Sequence, residues 1–194
     1  MALFVDYLSV MLLSLGASAA YLAWYIWSLG KTAKGKQELA VPIFALGVFN
    51  AIGGFTMSFT WPLPGGYNML FGDPLLFLGL LMIAGAYMLR KNISLKSLAM
   101  PGFLLGVYIL VGAGAIVGYT LEPGIHFLPS FSLYLFAGLS GIISPITAYL
   151  SPKGSGKYAY YLLTALLVLT AIAALFLAYT AFYEHIGSFS KWFP

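Results

Sequence analysis

Charge is what this chain has least of. Of 194 residues, 7% are Asp, Glu, Lys or Arg and 61% are hydrophobic. So few charges cannot cover a globule of this length in water, which excludes a soluble domain. Cysteine is absent, and disulfides, thiolate metal sites and cysteine nucleophiles go with it. Neither Gly-x-Ser-x-Gly, His-Glu-x-x-His nor a phosphate-binding loop occurs. No enzyme class is supported, and no catalytic residue is assigned. The formal net charge of +4 comes without basic patches interleaved with stacking aromatics, so nucleic acid is not an expected partner. Asp6, and no Lys or Arg, precedes the first apolar run, which does not read as a cleavable signal peptide.

What is present is hydrocarbon, in runs long enough to cross a bilayer. About 20 apolar residues suffice for a spanning helix, and the sequence divides into six such runs. They lie near Val5–Leu29, Leu39–Thr60, Pro74–Leu89, Leu98–Thr120, Ser130–Leu150 and Tyr158–Tyr183. The expected fold is an all-α integral membrane protein, one six-helix transmembrane domain over residues 1–194, with the lipid bilayer as its surroundings. The linkers alternate in charge. Lys31, Lys34 and Lys36, then Arg90, Lys91 and Lys96, then Lys153 and Lys157 mark every second linker, and the two between them hold no Lys or Arg. Basic loops stay in the cytoplasm, so the reading is a multi-pass cell-membrane protein with both termini outside. Lys191 in the C-terminal tail breaks the pattern.

An internal repeat is legible. Pro42-Ile-Phe-Ala-Leu-Gly-Val-Phe leads to Gly53, Pro64 and Gly65, and Pro101-Gly-Phe-Leu-Leu-Gly-Val-Tyr leads to Gly112, Pro123 and Gly124, without a gap. This predicts one helical hairpin used twice in parallel, as helices 2–3 and 4–5, a device that recurs in transport folds. Small residues mark helix contacts: Gly102/Gly106, Gly114/Gly118, Gly47, Gly53, Gly54, Gly138 and Gly141, and alanines in the last run. Packing within the chain is the favoured reading over a homo-oligomer interface.

The membrane interior holds no charge, which counts against proton relays and carboxylate-coupled transport. It does hold amide and hydroxyl: Asn50, Ser14 and Ser18, Ser140, Ser144 and Thr147, Thr164 and Thr170. Single Ser and Thr residues ordinarily bond back to their own helix. Asn50 needs a partner and divides evenly between an interhelical hydrogen bond and a solute-lining role. Pro145 predicts a kink beside Ser144.

Two further features lie on the side away from the basic loops. Trp61–Pro74 carries three prolines and three glycines, which forbid a continuous helix. Asp73-Pro74 reads as an N-cap and first helical position. The loop is a packed turn or a lid, with Trp61 and Tyr67 at the headgroup level, Asn68 beyond them, and Gly65 or Gly66 at positive φ. Glu122, His126, Glu184 and His185 gather at the same side, with Asp73, as candidates for a pH-sensing mouth. Solvated helix ends are the plainer account of them. The spacing of the two histidines matches no haem or metal motif, so no cofactor and no metal are expected.

The stretch Phe59-Thr-Trp-Pro-Leu-Pro-Gly-Gly-Tyr-Asn68, followed by Phe71-Gly-Asp-Pro74, resembles a family of small archaeal multi-pass membrane proteins of unknown function, over most of the chain. A weaker resemblance, in length, helix number and repeated hairpins, is to the acid-gated urea and amide channels. Glu38-Leu-Ala-Val-Pro-Ile-Phe-Ala-Leu-Gly47 stands where that family opens its second helix, although its intramembrane Glu and aromatic constriction have no counterpart. That likeness implies a homo-oligomeric ring and a small neutral solute. The sequence therefore points to a passive channel or carrier for such a solute, against a non-transporting subunit or scaffold of a larger complex.

Overall fold

The computed structural model describes residues 6–29 and 37–188. Its long helices are α1 (Tyr7–Leu29), α2 (Ala40–Thr60), α3 (Asp73–Arg90), α4 (Ala99–Gly118), α5 (Phe127–Tyr149) and α6 (Lys157–Ser188). With their flanking turns, all six are long and apolar enough to cross a membrane, and no strand occurs among the described residues. The chain is thus built as a multi-pass membrane protein, with an apolar exterior that includes Val41, Phe59 and Val111. Arg90, Lys91, Lys96, Lys153 and Lys157 gather at one end of the bundle, here the basic end. Asp6, Glu122, His126, Glu184 and His185 lie at the other, the acidic end. Lys31, Lys34, Lys36 and Lys191 lie outside the described residues.

The helices follow one another around a ring and form three tight antiparallel pairs: α2 with α3, α4 with α5, and α6 with α1. Glycine makes the first two pairs close. A Cβ on Gly54 would stand 2.2 Å from the Leu76 nitrogen, and one on Gly79 would stand 2.3 Å from the Ala51 nitrogen. In the other hairpin a Cβ on Gly141 would meet the Gly106 Cα at 2.5 Å. Backbones this near gain dispersion contacts that lipid cannot supply. The sixth helix reaches the same end with Ala171, Ala174 and Ala178, all buried against α1.

The repeated hairpin is present and runs further than the sequence match. The offset that carries Gly47 to Gly106 also carries Asn68 to Phe127 and Arg90 to Tyr149, the two ends of the returning helices. It carries Trp61 (φ 53°) to Thr120 (φ 52°), the left-handed residues through which the chain leaves α2 and α4. Gly65 (φ 58°) and Gly124 (φ 78°) correspond in the same way.

One helix start differs from expectation. The third span begins at Asn68, in a π-helical turn Asn68–Gly72 that runs straight into α3, so Asp73 is an interior residue and not a cap. Pro74 has no N–H for the carbonyl four residues back, Leu70. The Tyr134 hydroxyl of α5 donates to that carbonyl and lets the helix pass through the proline. The same logic holds in α5, where Pro145 strands the Gly141 carbonyl and the Ser144 hydroxyl donates to it at 2.8 Å.

Candidate functional site

Around the ring, α3 and α4 touch each other sparingly, in contrast to the pairs on either side. Behind that seam lies a central cavity of about 700 Å³. It extends from the basic end, at Asn92, Ser94 and Lys96, as far as Phe71, Ile109, Leu133 and Tyr134. Most of its wall is Leu, Ile, Ala and Gly. The polar groups on it are chiefly the hydroxyls of Ser140, Ser144, Thr147 and Thr170, with Tyr25 and Tyr160. Among the described residues, Lys96, at the mouth, is its one charged lining residue. Such a wall suits a neutral, carbon-rich occupant, because a charge inside would lack a partner.

Of the residues singled out from sequence, Ser140, Ser144 and Thr170 stand on this wall, while Asn50, Ser14, Ser18 and Thr164 do not. Asn50 is fully buried between α1 and α2. Its Oδ1 accepts from the Ser14 hydroxyl at 2.7 Å, and its Nδ2 donates to Ser18 Oγ at 2.8 Å. Ser18 in turn donates to the Ser14 carbonyl at 2.7 Å. The amide that looked hardest to place is satisfied inside a dry interhelical knot. The wall hydroxyls bond back along their own helices: Ser140 to the Phe136 carbonyl, Thr147 to Ser144 and Thr170 to Leu166, as does Thr164 to Tyr160. Each therefore offers a guest an acceptor lone pair and no free proton.

Beyond the cavity, the acidic third of the bundle is filled by a packed cluster around Met57, Leu70, Phe71, Ile116, Leu133 and Tyr134. The loop over it is ordered by one side chain. Asn68 is fully buried; its Oδ1 accepts from the Leu63 N–H at 2.8 Å, and its Nδ2 donates to the Leu63 carbonyl. Tyr67 stacks on Phe71 at 6.4 Å, and Phe71 meets Tyr134 edge-on at 6.0 Å. Trp61 stands half exposed at the loop's start. Asp73 joins three helices: its carboxylate accepts from Ser58 of α2 at 2.6 Å and from Tyr108 of α4 at 2.8 Å.

The titratable residues divide into two groups. His126 Nε2 stands 3.5 Å from Glu184, with Glu122 close enough to feel the histidine. Burial pushes the Glu122 carboxyl above its ordinary range, and His126 pulls it partly back. His185 instead faces Asp6 at 3.2 Å, while Asp6 also caps α1 by accepting from the Ser9 N–H. Asp73 joins neither group. No set of three metal-ligating side chains occurs among the described residues.

A family model described as "Protein of unknown function (DUF981)" matches residues 1–188. The chain belongs to this family. No curated protein and no solved structure matches it. In this DUF981 chain, three of the residues that tie the third span to its neighbours carry no flag in the sequence. Tyr134, Tyr108 and Ser58 read as ordinary members of apolar runs. The available signal for Tyr134 was Pro74, since a proline within a helix always leaves a carbonyl in need of a donor.

Proposed function

We propose that the chain is a membrane carrier or binding protein for a small molecule whose buried part is neutral and mainly hydrocarbon. The observation that carries this reading is the central cavity. At about 700 Å³ it falls within the roughly 300–1,000 Å³ of small-molecule sites, which are likewise apolar with a few placed polar groups. By the positive-inside rule the basic end faces the cytoplasm, so the solute is taken up from there and both termini lie outside. A passive channel would need a wet path to the far end. The packed cluster above Tyr134 favours a carrier that must rearrange over a pore that stands open.

The dry Asn50 knot favours the second reading, a non-transporting subunit whose polar groups serve packing alone. The deciding experiment uses the full chain in neutral detergent and in proteoliposomes. A neutral apolar fluorophore such as 1-aminoanthracene should bind saturably, one per chain, and longer aliphatic amides should displace it better than urea or glycerol. Ala137→Phe, which fills the cavity from α5, should weaken binding at least tenfold without loss of the folded state by thermal melt. If the fluorophore binds equally to Ala137→Phe, and no amide enters proteoliposomes faster than empty vesicles, the subunit reading replaces this one.

A further inference from the structure

The loop that joins α3 to α4 closes the basic end of the seam between them, and it is unlike the wall above it. Ser94 caps a short 3-10 turn, Leu95–Leu98, by accepting from the Lys96 N–H at 3.4 Å. Asn92 holds a left-handed conformation (φ 55°) and accepts from Gln37 at 3.2 Å. Asn92, Ser94 and Lys96 all line the cavity mouth, and Arg90 and Lys91 stand immediately before them. Lys96 Nζ lies 5.6 Å from the ring of Tyr149, at the end of α5, within reach of a cation–π contact. Among the described residues, Glu38 is the one carboxylate at this end, and no carboxylate pairs with Arg90, Lys91 or Lys96.

Above this loop both edges of the sparse seam open on the cavity: Leu81 and Gly85 from α3, Gly102 and Leu105 from α4. A Cβ on Gly85 would touch only Leu98, at 3.4 Å, so the seam is unfilled just above the cations. Towards the acidic end it is tied by Tyr108 to Asp73. A carbon-lined slot that faces lipid along its side and ends at a cationic rim matches an amphiphile lying in the membrane, with its chain inward and its head at the rim.

We propose that the occupant is an anionic phospholipid of the leaflet at the basic end. One of its hydrocarbon chains lies in the cavity, taken in sideways between α3 and α4, and its phosphate head is held by Lys96 with Asn92 and Ser94. The inference rests on the carrier reading above and names its ligand class. Basic pockets between helices at the cytoplasmic face bind such heads, at roughly 1 kcal/mol per cation near the surface.

The test is a binding titration on the purified full chain in neutral detergent, with pyrene-labelled lysophosphatidylglycerol and lysophosphatidylcholine. The anionic lipid should bind about fivefold tighter, the equivalent of roughly 1 kcal/mol. Lys96→Ala should remove that preference and Lys96→Arg should keep it. Gly85→Leu, which fills the seam at a helical position where leucine is well tolerated, should weaken both lipids at least tenfold. Equal affinity for the two heads, or no effect of Lys96→Ala, overturns the head assignment. Unchanged binding by Gly85→Leu overturns the sideways path. Displacement by excess inorganic phosphate would mark a soluble-anion site and overturns the lipid. If 1-aminoanthracene still binds in those cases, the carrier reading survives; if it too fails, both fall.

Discussion

Replacing Asn50 separates a structural amide from a working one. In the folded chain its Oδ1 accepts from Ser14 at 2.7 Å, its Nδ2 donates to Ser18 at 2.8 Å, and the Met82 sulfur lies 3.7 Å away. Asn50→Leu removes both interhelical bonds. Each such bond within a membrane bundle is worth about 0.6 kcal/mol on average and at most about 1.7, so two give about 1 kcal/mol at the average and about 3 at most. The freed Ser14 hydroxyl can turn to its own helix, which holds the loss towards the lower figure. Unfolding of the detergent-solubilised chain by increasing SDS fraction should therefore show a five- to thirty-fold rise in the unfolding constant, roughly. A double-mutant cycle with Ser14→Ala should return a coupling of about 0.6–1.7 kcal/mol. Binding of the neutral fluorophore should not change, because Asn50 does not line the cavity. Unaltered stability together with altered binding would refute this account and make Asn50 a solute-lining group.

Tyr134→Phe leaves the Leu70 carbonyl without its donor; the expected cost is about 1–3 kcal/mol, read from the same SDS titration, and no change would show that water or a shifted backbone serves the carbonyl. Gly54→Ala forces a methyl within 2.2 Å of backbone and should destabilise by about 1–3 kcal/mol or more, whereas Gly114→Ala, with nothing within 4 Å, should gain about 0.5–1 kcal/mol. Equal effects would mean the hairpin crossing is looser than described. Glu122 keeps its proton in the folded chain above its ordinary value of 4.5. The folded state then binds more protons than the unfolded one from about pH 4.5 upward, so stability falls as pH rises through that window. Melting midpoints of the parent should drop relative to Glu122→Gln over the same range, and a constant difference would count against it.

Much of the architecture was legible because it is written in residue types that have one use. Lys and Arg sort the loops, and Pro42/Pro101, Gly47/Gly106 and Gly65/Gly124 announce the hairpin twice. The first and last helices gave no such sign of their pairing, since α6 reaches α1 with alanine where the others use glycine. The start of the third span was misplaced at Pro74 for a physical reason. A proline at the first helical turn and a proline carried through a helix look alike until a hydroxyl from another helix, Tyr134, is seen at the stranded carbonyl. The Asn50 partners were present in the first run as Ser14 and Ser18, but nothing along one strand of text says which hydroxyl an amide will face. The cavity was illegible because leucine and glycine on a wall are the same letters as leucine and glycine in a core.

The pairing of α6 with α1 has a consequence for how the protein is made. The ribosome releases α1 into the bilayer before α6, so α1 waits through the synthesis of the four spans between them before its partner arrives. During that interval Gly16, which will lie against Leu175, faces lipid or a chaperone in place of its native neighbour. The two internal hairpins can close while translation continues, but the ring cannot. Closure of the ring is thereby tied to α6, and translation stalled after α5 would leave two finished hairpins with α1 held by α2 alone, through the Asn50 bonds.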